Sequence, residues 1–355
     1  MSARQERGTS RWHDRTVVVT GASAGVGRAI VREVAREGAR IGLIARGRDG
    51  LEAARREVES LGGTALVLPL DVADARAVDD AAQRVEEHFG PIDLWINNAM
   101  VSVFAPVSKM EADEYRRVTE VTYLGYVHGT LSALRRMRQR DRGTIVQVGS
   151  ALAYQAIPLQ SAYCAAKHAV EGFTESLRCE LRHDRSQVRV VMVQMPALNT
   201  PQFDWVRSRL PGRAQPVPPI FQPEVAARAV LHAARSKRAE LWVGWPTVKA
   251  IVGSRVASAY MERYLAGHAY RAQQTSQPRP DRPDNLFQPV PGDHGAHGRF
   301  DARSRQRSLQ LWLNMHLRGV AVGAAVSVAA AVWLWRRYAF STTFSQPSSL
   351  LRKSS

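Results

Sequence analysis

The stretch TGASAGVGRAI, residues 20–30, follows the apolar run TVVV at 16–19 and leads into a segment whose apolar residues recur at helical intervals. Gly21, Gly25 and Gly27 therefore stand between a strand and a helix. There a tight turn can bring backbone N–H groups to a pyrophosphate at the helix N-terminus. A plain strand-to-helix turn needs such glycines too, so the rest of the chain has to decide.

Apolar, β-rich runs at 16–20, 40–44, 64–70, 93–97, 143–150, 188–195 and 240–245 alternate with helical stretches such as RAIVREVAREG and DARAVDDAAQRVEEHFG. Strand and helix repeated in this way predict a parallel sheet covered on both faces. Right-handed crossovers then make it a Rossmann-type doubly wound α/β fold of about seven strands. The 355 residues are 45% hydrophobic, enough for a sizeable core. Cys164 and Cys179 fall in one predicted helix and read as free thiols of a reducing compartment. Residues 1–14 form a basic tail with no apolar core of the secretory kind, which predicts a cytoplasmic location for the folded part. The net charge of +17 is scattered over helical faces and both tails without a nucleic-acid motif, so a nucleic-acid partner is not expected.

In SAYCAAKHAV, Tyr163 and Lys167 are four residues apart and share a helix face. Ser150 closes the strand TIVQVGS, at the carboxyl edge where doubly wound sheets bind ligands. A carbonyl reductase must deliver a proton to oxygen as hydride reaches carbon, and a free tyrosine is too weak an acid at neutral pH. An ammonium about 4 Å away favours tyrosinate by about 4 kcal/mol in partly screened surroundings and draws the tyrosine toward neutrality. Ser150 would support the developing oxyanion with a neutral hydrogen bond.

With these motifs the chain resembles the short-chain dehydrogenase/reductase family over roughly residues 15–245, through TGASAGVG, LDV at 70–72, NNA at 97–99 and the Ser150, Tyr163, Lys167 set. The resemblance implies that Thr20, Gly21, Ser23, Gly25, Val26 and Gly27 line the pyrophosphate, Asp71 and Val72 meet the adenine, and Asn98 and Ala99 border its ribose. It further implies that Tyr163 exchanges the proton, Lys167 holds the nicotinamide ribose, and Pro196 and Thr200 lie near the nicotinamide. Three positions depart from the family pattern: Thr122 where an asparagine usually holds a water of the proton relay, Met100 for glycine, and Ala197 for glycine.

Strand two ends in Ala45 and Arg46 rather than a carboxylate. An arginine pairs with a 2′-phosphate whereas a carboxylate would repel it, so NADP(H) is the expected cofactor, with Arg46 the main reader and Arg48 a weaker one. The proline-rich stretch 196–225 carries Phe203, Trp205 and Phe221, suited either to close over an apolar, lipid-like substrate or to pack as a lid. Residues 246–272 read as a helical extension and 273–308 as a Pro/Gly/charged linker. His294 and His297 in that linker lack further ligands, so no metal is expected.

Residues 309–338 form a hydrophobic tail helix before a polar end at 339–355. Its Gly319–Trp335 run carries no charge over 17 residues, about 25 Å as a helix against a hydrocarbon core of about 30 Å. Flanking Arg318, Arg336 and Arg337 and interfacial Trp333 and Trp335 favour membrane insertion, with the catalytic domain (15–245) on the cytoplasmic side. A stripe of Gly319, Gly323, Ser327 and Ala331 suits helix pairing, and family members often form homo-oligomers. The reading is thus an NADP(H)-dependent oxidoreductase acting on a small carbonyl or secondary alcohol. Its alternatives are a catalytically weak NADP(H)-binding scaffold and a tail-driven interaction module.

Overall fold

The computed structural model describes residues 11–316 and 331–333. The chain divides into two units, residues 1–308 and 309–355. In the first, seven parallel strands form one sheet in the order β7-β6-β5-β4-β1-β2-β3. These are β1 (Thr16–Thr20), β2 (Arg40–Ala45), β3 (Thr64–Pro69), β4 (Ile92–Asn97), β5 (Thr144–Val148), β6 (Arg189–Gln194) and β7 (Glu240–Trp242). Valine and isoleucine dominate the central strands, and β1 and β5 are buried along their whole length, as strands covered on both faces must be. The expected seven-stranded doubly wound architecture is therefore observed. β7 stops short of the predicted end because Gly244, at φ +80°, turns the backbone into a helix.

Helices α1 (Gly25–Ala35), α2 (Arg48–Ser60) and α3 (Ala75–Phe89) make the first crossovers. The chain then leaves β3, at one edge, and returns beside β1 as β4. That reversal opens a crevice at the carboxyl ends of β1 and β4. Helices α4 (Ala112–Thr119) and α5 (Gly125–Gln139) follow β4 and are joined by a π-helical turn over Glu120–Leu124, a local widening common at functional sites. Helix α6 (Ser161–His183) follows β5, and α7 (Pro223–Arg235) opens on a proline, where a missing N–H is harmless. The predicted helical extension is present as α8 (Gly244–Val256) and α9 (Ser258–Ala272).

Residues 273–308 are not the open linker their composition suggests. Gln274–Pro278 pairs antiparallel with Gly212–Ala214, and Ser304–Arg305 pairs with Ile220–Phe221. Leu286 and Phe300 are buried among core residues. Short apolar anchors and side-chain bonds to backbone hold this segment, and neither produces a periodicity that sequence reading detects.

In the second unit, residues 309–316 and 331–333 are helical. Most of the Gly319–Trp335 run lies outside the described residues, and among the described residues no helix is long and apolar enough to cross a membrane.

A Cβ on Gly27 would lie 2.0 Å from the carbonyl oxygen of Gly21, so α1 can start this close to β1 only with glycine there. Gly27→Ala should lower the denaturation free energy by about 3 kcal/mol, with a chemical denaturation curve as the check.

Candidate active site

The crevice holds a groove of about 210 Å³, whose floor includes Gly21, Ser23, Gly25, Val26, Ala99 and Val72. Gly21 and Gly25 are at φ +67° and +58°, conformations glycine adopts without strain. The Thr20 hydroxyl accepts the N–H groups of Asn98 (2.9 Å) and Ala99 (3.1 Å), tying the ends of β1 and β4 together. The Asn98 carboxamide donates to the Thr20 carbonyl at 2.9 Å. A cradle with no space for a Cβ at Gly21 or Gly27, beside a helix N-terminus, fits the pyrophosphate of a dinucleotide. The glycine-loop residues and the Asn98–Ala99 pair named from the sequence thus come together here.

Two further expected contacts are already engaged. Arg46 lines the groove, but its Nη1 donates to the carbonyls of Leu286 (3.2 Å) and Phe287 (2.9 Å) and its Nη2 to that of Asn285. Burial lowers the Arg46 pKa. Asp71 also lines the groove beside Val72, yet its carboxylate accepts the Ala73 N–H at 3.0 Å and pairs with Arg117. Arg48 is largely exposed and lies 3.9 Å from Glu52.

Next to the groove, and sharing Val26, Asn98, Met100, Thr200 and Gln202 with it, opens a cavity of about 550 Å³. Ser150, Tyr163 and Lys167 all stand in its wall, with Pro196 beside them. Strand β5 ends at Val148 and sets Ser150 just beyond it, where the serine Oγ accepts the Leu152 N–H at 3.1 Å. Helix α6 presents Tyr163 and Lys167 one turn apart. The buried Lys167 Nζ donates to the Tyr126 hydroxyl (2.9 Å) and the Val148 carbonyl (2.7 Å) and lies 5.7 Å from the Tyr163 ring centre.

Burial pulls Lys167 down to about 7 and pushes Tyr163 well above the usual tyrosine value, against a hydrogen bond from Ser150 that works the other way. The expectation that the lysine alone brings the tyrosine to neutrality is therefore not met in this state. Lys167 is buried and Tyr163 half-buried in the cavity wall, and desolvation penalises ammonium and tyrosinate alike.

Tyr126 was not singled out from the sequence. It is buried, donates to the Val148 carbonyl at 2.9 Å, and is the polar side chain that meets Lys167. Only its position four residues after Thr122 hints at it. Thr122 itself faces elsewhere: its hydroxyl donates to the Val101 carbonyl (2.8 Å) and accepts the Val101 N–H (3.0 Å), pinning the π-turn to the segment after β4.

The aromatic lid divides its work. Phe203 lines the cavity and packs edge-on against Phe104 and Phe300. Trp205 borders the groove and meets His294 edge-on at 4.5 Å. Phe221 packs behind Gly244. The remaining cavity wall is mixed: Met195, Ile157, Pro216, Val217, Leu265 and Ala269 give it apolar surface, and Gln160, Gln215, Thr247 and His268 also line it. His297 bonds Glu224 at 2.7 Å, and no cluster fit to hold a metal occurs among the described residues. Both cysteines are free; burial raises the Cys164 thiol to about 11.

A family model described as short chain dehydrogenase matches residues 15–210. An uncharacterized oxidoreductase of Bacillus subtilis, YxnA, is 29% identical over 329 residues, 90% of either chain. A fatty acyl-CoA reductase of Acinetobacter baylyi is 29% identical, covering 62% of this chain and 72% of its own. Among solved structures, an alcohol dehydrogenase of Thermococcus sibiricus complexed with 5-hydroxy-NADP is 26% identical at a TM-score of 0.56, over 64% of this chain and 95% of its own. A short-chain dehydrogenase/reductase from Burkholderia phymatum in complex with NAD shares the fold at 23% identity and a TM-score of 0.64, over 71% of this chain and 96% of its own.

The depressed lysine pKa makes stability depend on pH. Folded Lys167 releases its proton near 7 and the unfolded lysine near 10.5, so the unfolded state binds more protons between those values and stability rises with pH there. Relative to Lys167→Met, the natural protein should gain about 3 kcal/mol between pH 6.5 and 9.5, read from denaturant midpoints.

Proposed function

The chain belongs to the short-chain dehydrogenase/reductase family, and on that premise we propose that it transfers hydride between NADP(H) and an apolar carbonyl or secondary alcohol. The observation that carries this reading is the junction of groove and cavity: five residues are common to both walls, and Ser150, Tyr163 and Lys167 stand on the cavity side of that junction. Bound in the groove, the nicotinamide cofactor supplies or accepts the hydride. Ser150 donates a hydrogen bond to the substrate oxygen as charge develops on it. Tyr163 gives that oxygen its proton, and Lys167, held by Tyr126 and the Val148 carbonyl, stabilises the tyrosinate left behind. In the oxidative direction the same groups act in reverse.

The preference for NADP(H) is supported by Arg46. Its hydrogen bonds within the protein go to neutral carbonyls through Nη1 and Nη2 and not through Nε, so its charge remains available to a phosphate. The apolar substrate is supported by the cavity wall and by the name of the fatty acyl-CoA reductase relative. Attachment to the cytoplasmic side of a membrane through Gly319–Trp335 and association into homo-oligomers belong to the same proposal, supported by that run's apolar and small-residue composition.

Full-length protein mixed with NADPH and a panel of aldehydes and ketones should oxidise the cofactor, and Tyr163→Phe should lower kcat by about 10²–10⁴-fold with NADPH still bound. No turnover by either protein, with cofactor bound, would favour the scaffold reading. NADPH should bind at least about tenfold more tightly than NADH, and Arg46→Ser should bring the ratio near one, measured by cofactor fluorescence.

A further inference from the structure

Asn285–Gly295, from the stretch whose composition reads as linker, runs along the rim of the dinucleotide groove. At its start, the Arg46 guanidinium takes the carbonyls of Asn285, Leu286 and Phe287, and the Arg117 Nε donates to the Leu286 carbonyl at 3.1 Å. The Leu286 side chain has no exposed surface and lies in the same apolar cluster as Ile44, Leu68, Val72 and Val121, which surround the ends of β2 and β3. Farther on, the Gly292 N–H donates to Asp49 at 2.9 Å, Asp293 accepts from the buried Arg28 at 3.2 Å, and the Gly295 carbonyl accepts the Gly25 N–H at 3.0 Å. Seven hydrogen bonds and one buried side chain in eleven residues make this a strap.

The groove stays open beneath it. The glycine loop with Asp71 and Ala99 lines that space, and the strap lines it as well, through Asn285, Pro289, Val290 and His294. Within the strap, Asn285 lines the groove while its Oδ1 is buried with no hydrogen-bond partner. Arg46 and Gly25 line the groove and are themselves fastened to the strap, whereas Arg28, Asp49 and Arg117 hold it from outside the groove lining.

We propose that this strap is a wall of the cofactor site: the adenosine half of the cofactor binds beneath it, and the strap must open for cofactor to enter or leave. The inference rests on the nucleotide reading of the groove. It makes Leu286 and Asp293 positioning residues that act on the kinetics of cofactor exchange through the strap, without touching the reacting atoms. Opening costs the burial of Leu286 and the rim bonds, so it sets a ceiling on how fast cofactor can load.

The test mixes full-length protein with NADPH in a stopped-flow instrument and follows cofactor fluorescence, beside hydrogen exchange of residues 285–295. For the natural protein the association rate should level off at high NADPH, and exchange of the strap amides should slow when NADPH is bound. Leu286→Ala should raise the levelling rate and the dissociation rate by about tenfold each, with little change in Kd. Asp293→Ala should shift both in the same direction while leaving Arg28 paired with Glu57 and the core intact. An association rate linear in NADPH and equal in all three proteins would overturn the proposal, as would strap amides that exchange faster with NADPH bound, which would mean the cofactor displaces the strap. If NADPH binds none of the proteins, the cofactor reading itself fails, and this inference with it.

Discussion

The carbonyl oxygen of Gly21 and the Cα of Gly27 approach so closely that a single methyl group between them would collide at 2.0 Å. Everything in the crevice depends on that approach. It sets the first turn of α1 against the end of β1, and Asn98 and Ala99 then reach the Thr20 hydroxyl and lock β4 at the same height. With β1 and β4 fixed, the loops beyond β5 and β6 bring Ser150 and Thr200 to the same edge. The parallel sheet is thus less a frame with a site attached than a device for holding loop ends level.

Within that frame the energetics turn on one buried cation. Lys167 has given up bulk water for two oxygen acceptors, and its pKa falls to about 7 as a result. Tyr163 suffers the opposite shift from the same cause. The resting state is therefore one in which neither group holds charge easily. Tyr126 matters because it provides one of the two acceptors that let the ammonium survive burial.

Much of this was legible in the sequence, for identifiable reasons. The strands are continuous Val/Ile runs, the glycines mark a turn no other residue permits, and Ser150, Tyr163 and Lys167 are placed by a strand end and one helical turn. Tyr126 escaped because a tyrosine on an amphipathic helix looks like packing until the lysine beside it is located. The strap escaped because sequence reading relies on periodicity, and this segment is held by isolated anchors, Leu286 and Phe300, and by arginines bonding to its carbonyls. For the same reason the partners of Arg46 and Asp71, which lie far along the chain or on another helix, could not be foreseen.

The lid and α9 contribute apolar side chains to the larger cavity, and the proposed function requires these to recognise an alkyl chain attached to the reacting carbonyl. A homologous series of straight-chain aldehydes with NADPH measures it most directly. The account predicts that kcat/KM rises about fourfold per added methylene, as expected from about 0.8 kcal/mol for each buried CH₂, until the cavity of about 550 Å³ is filled, and then levels off. A profile that is flat or falls from the shortest aldehyde onward would contradict it.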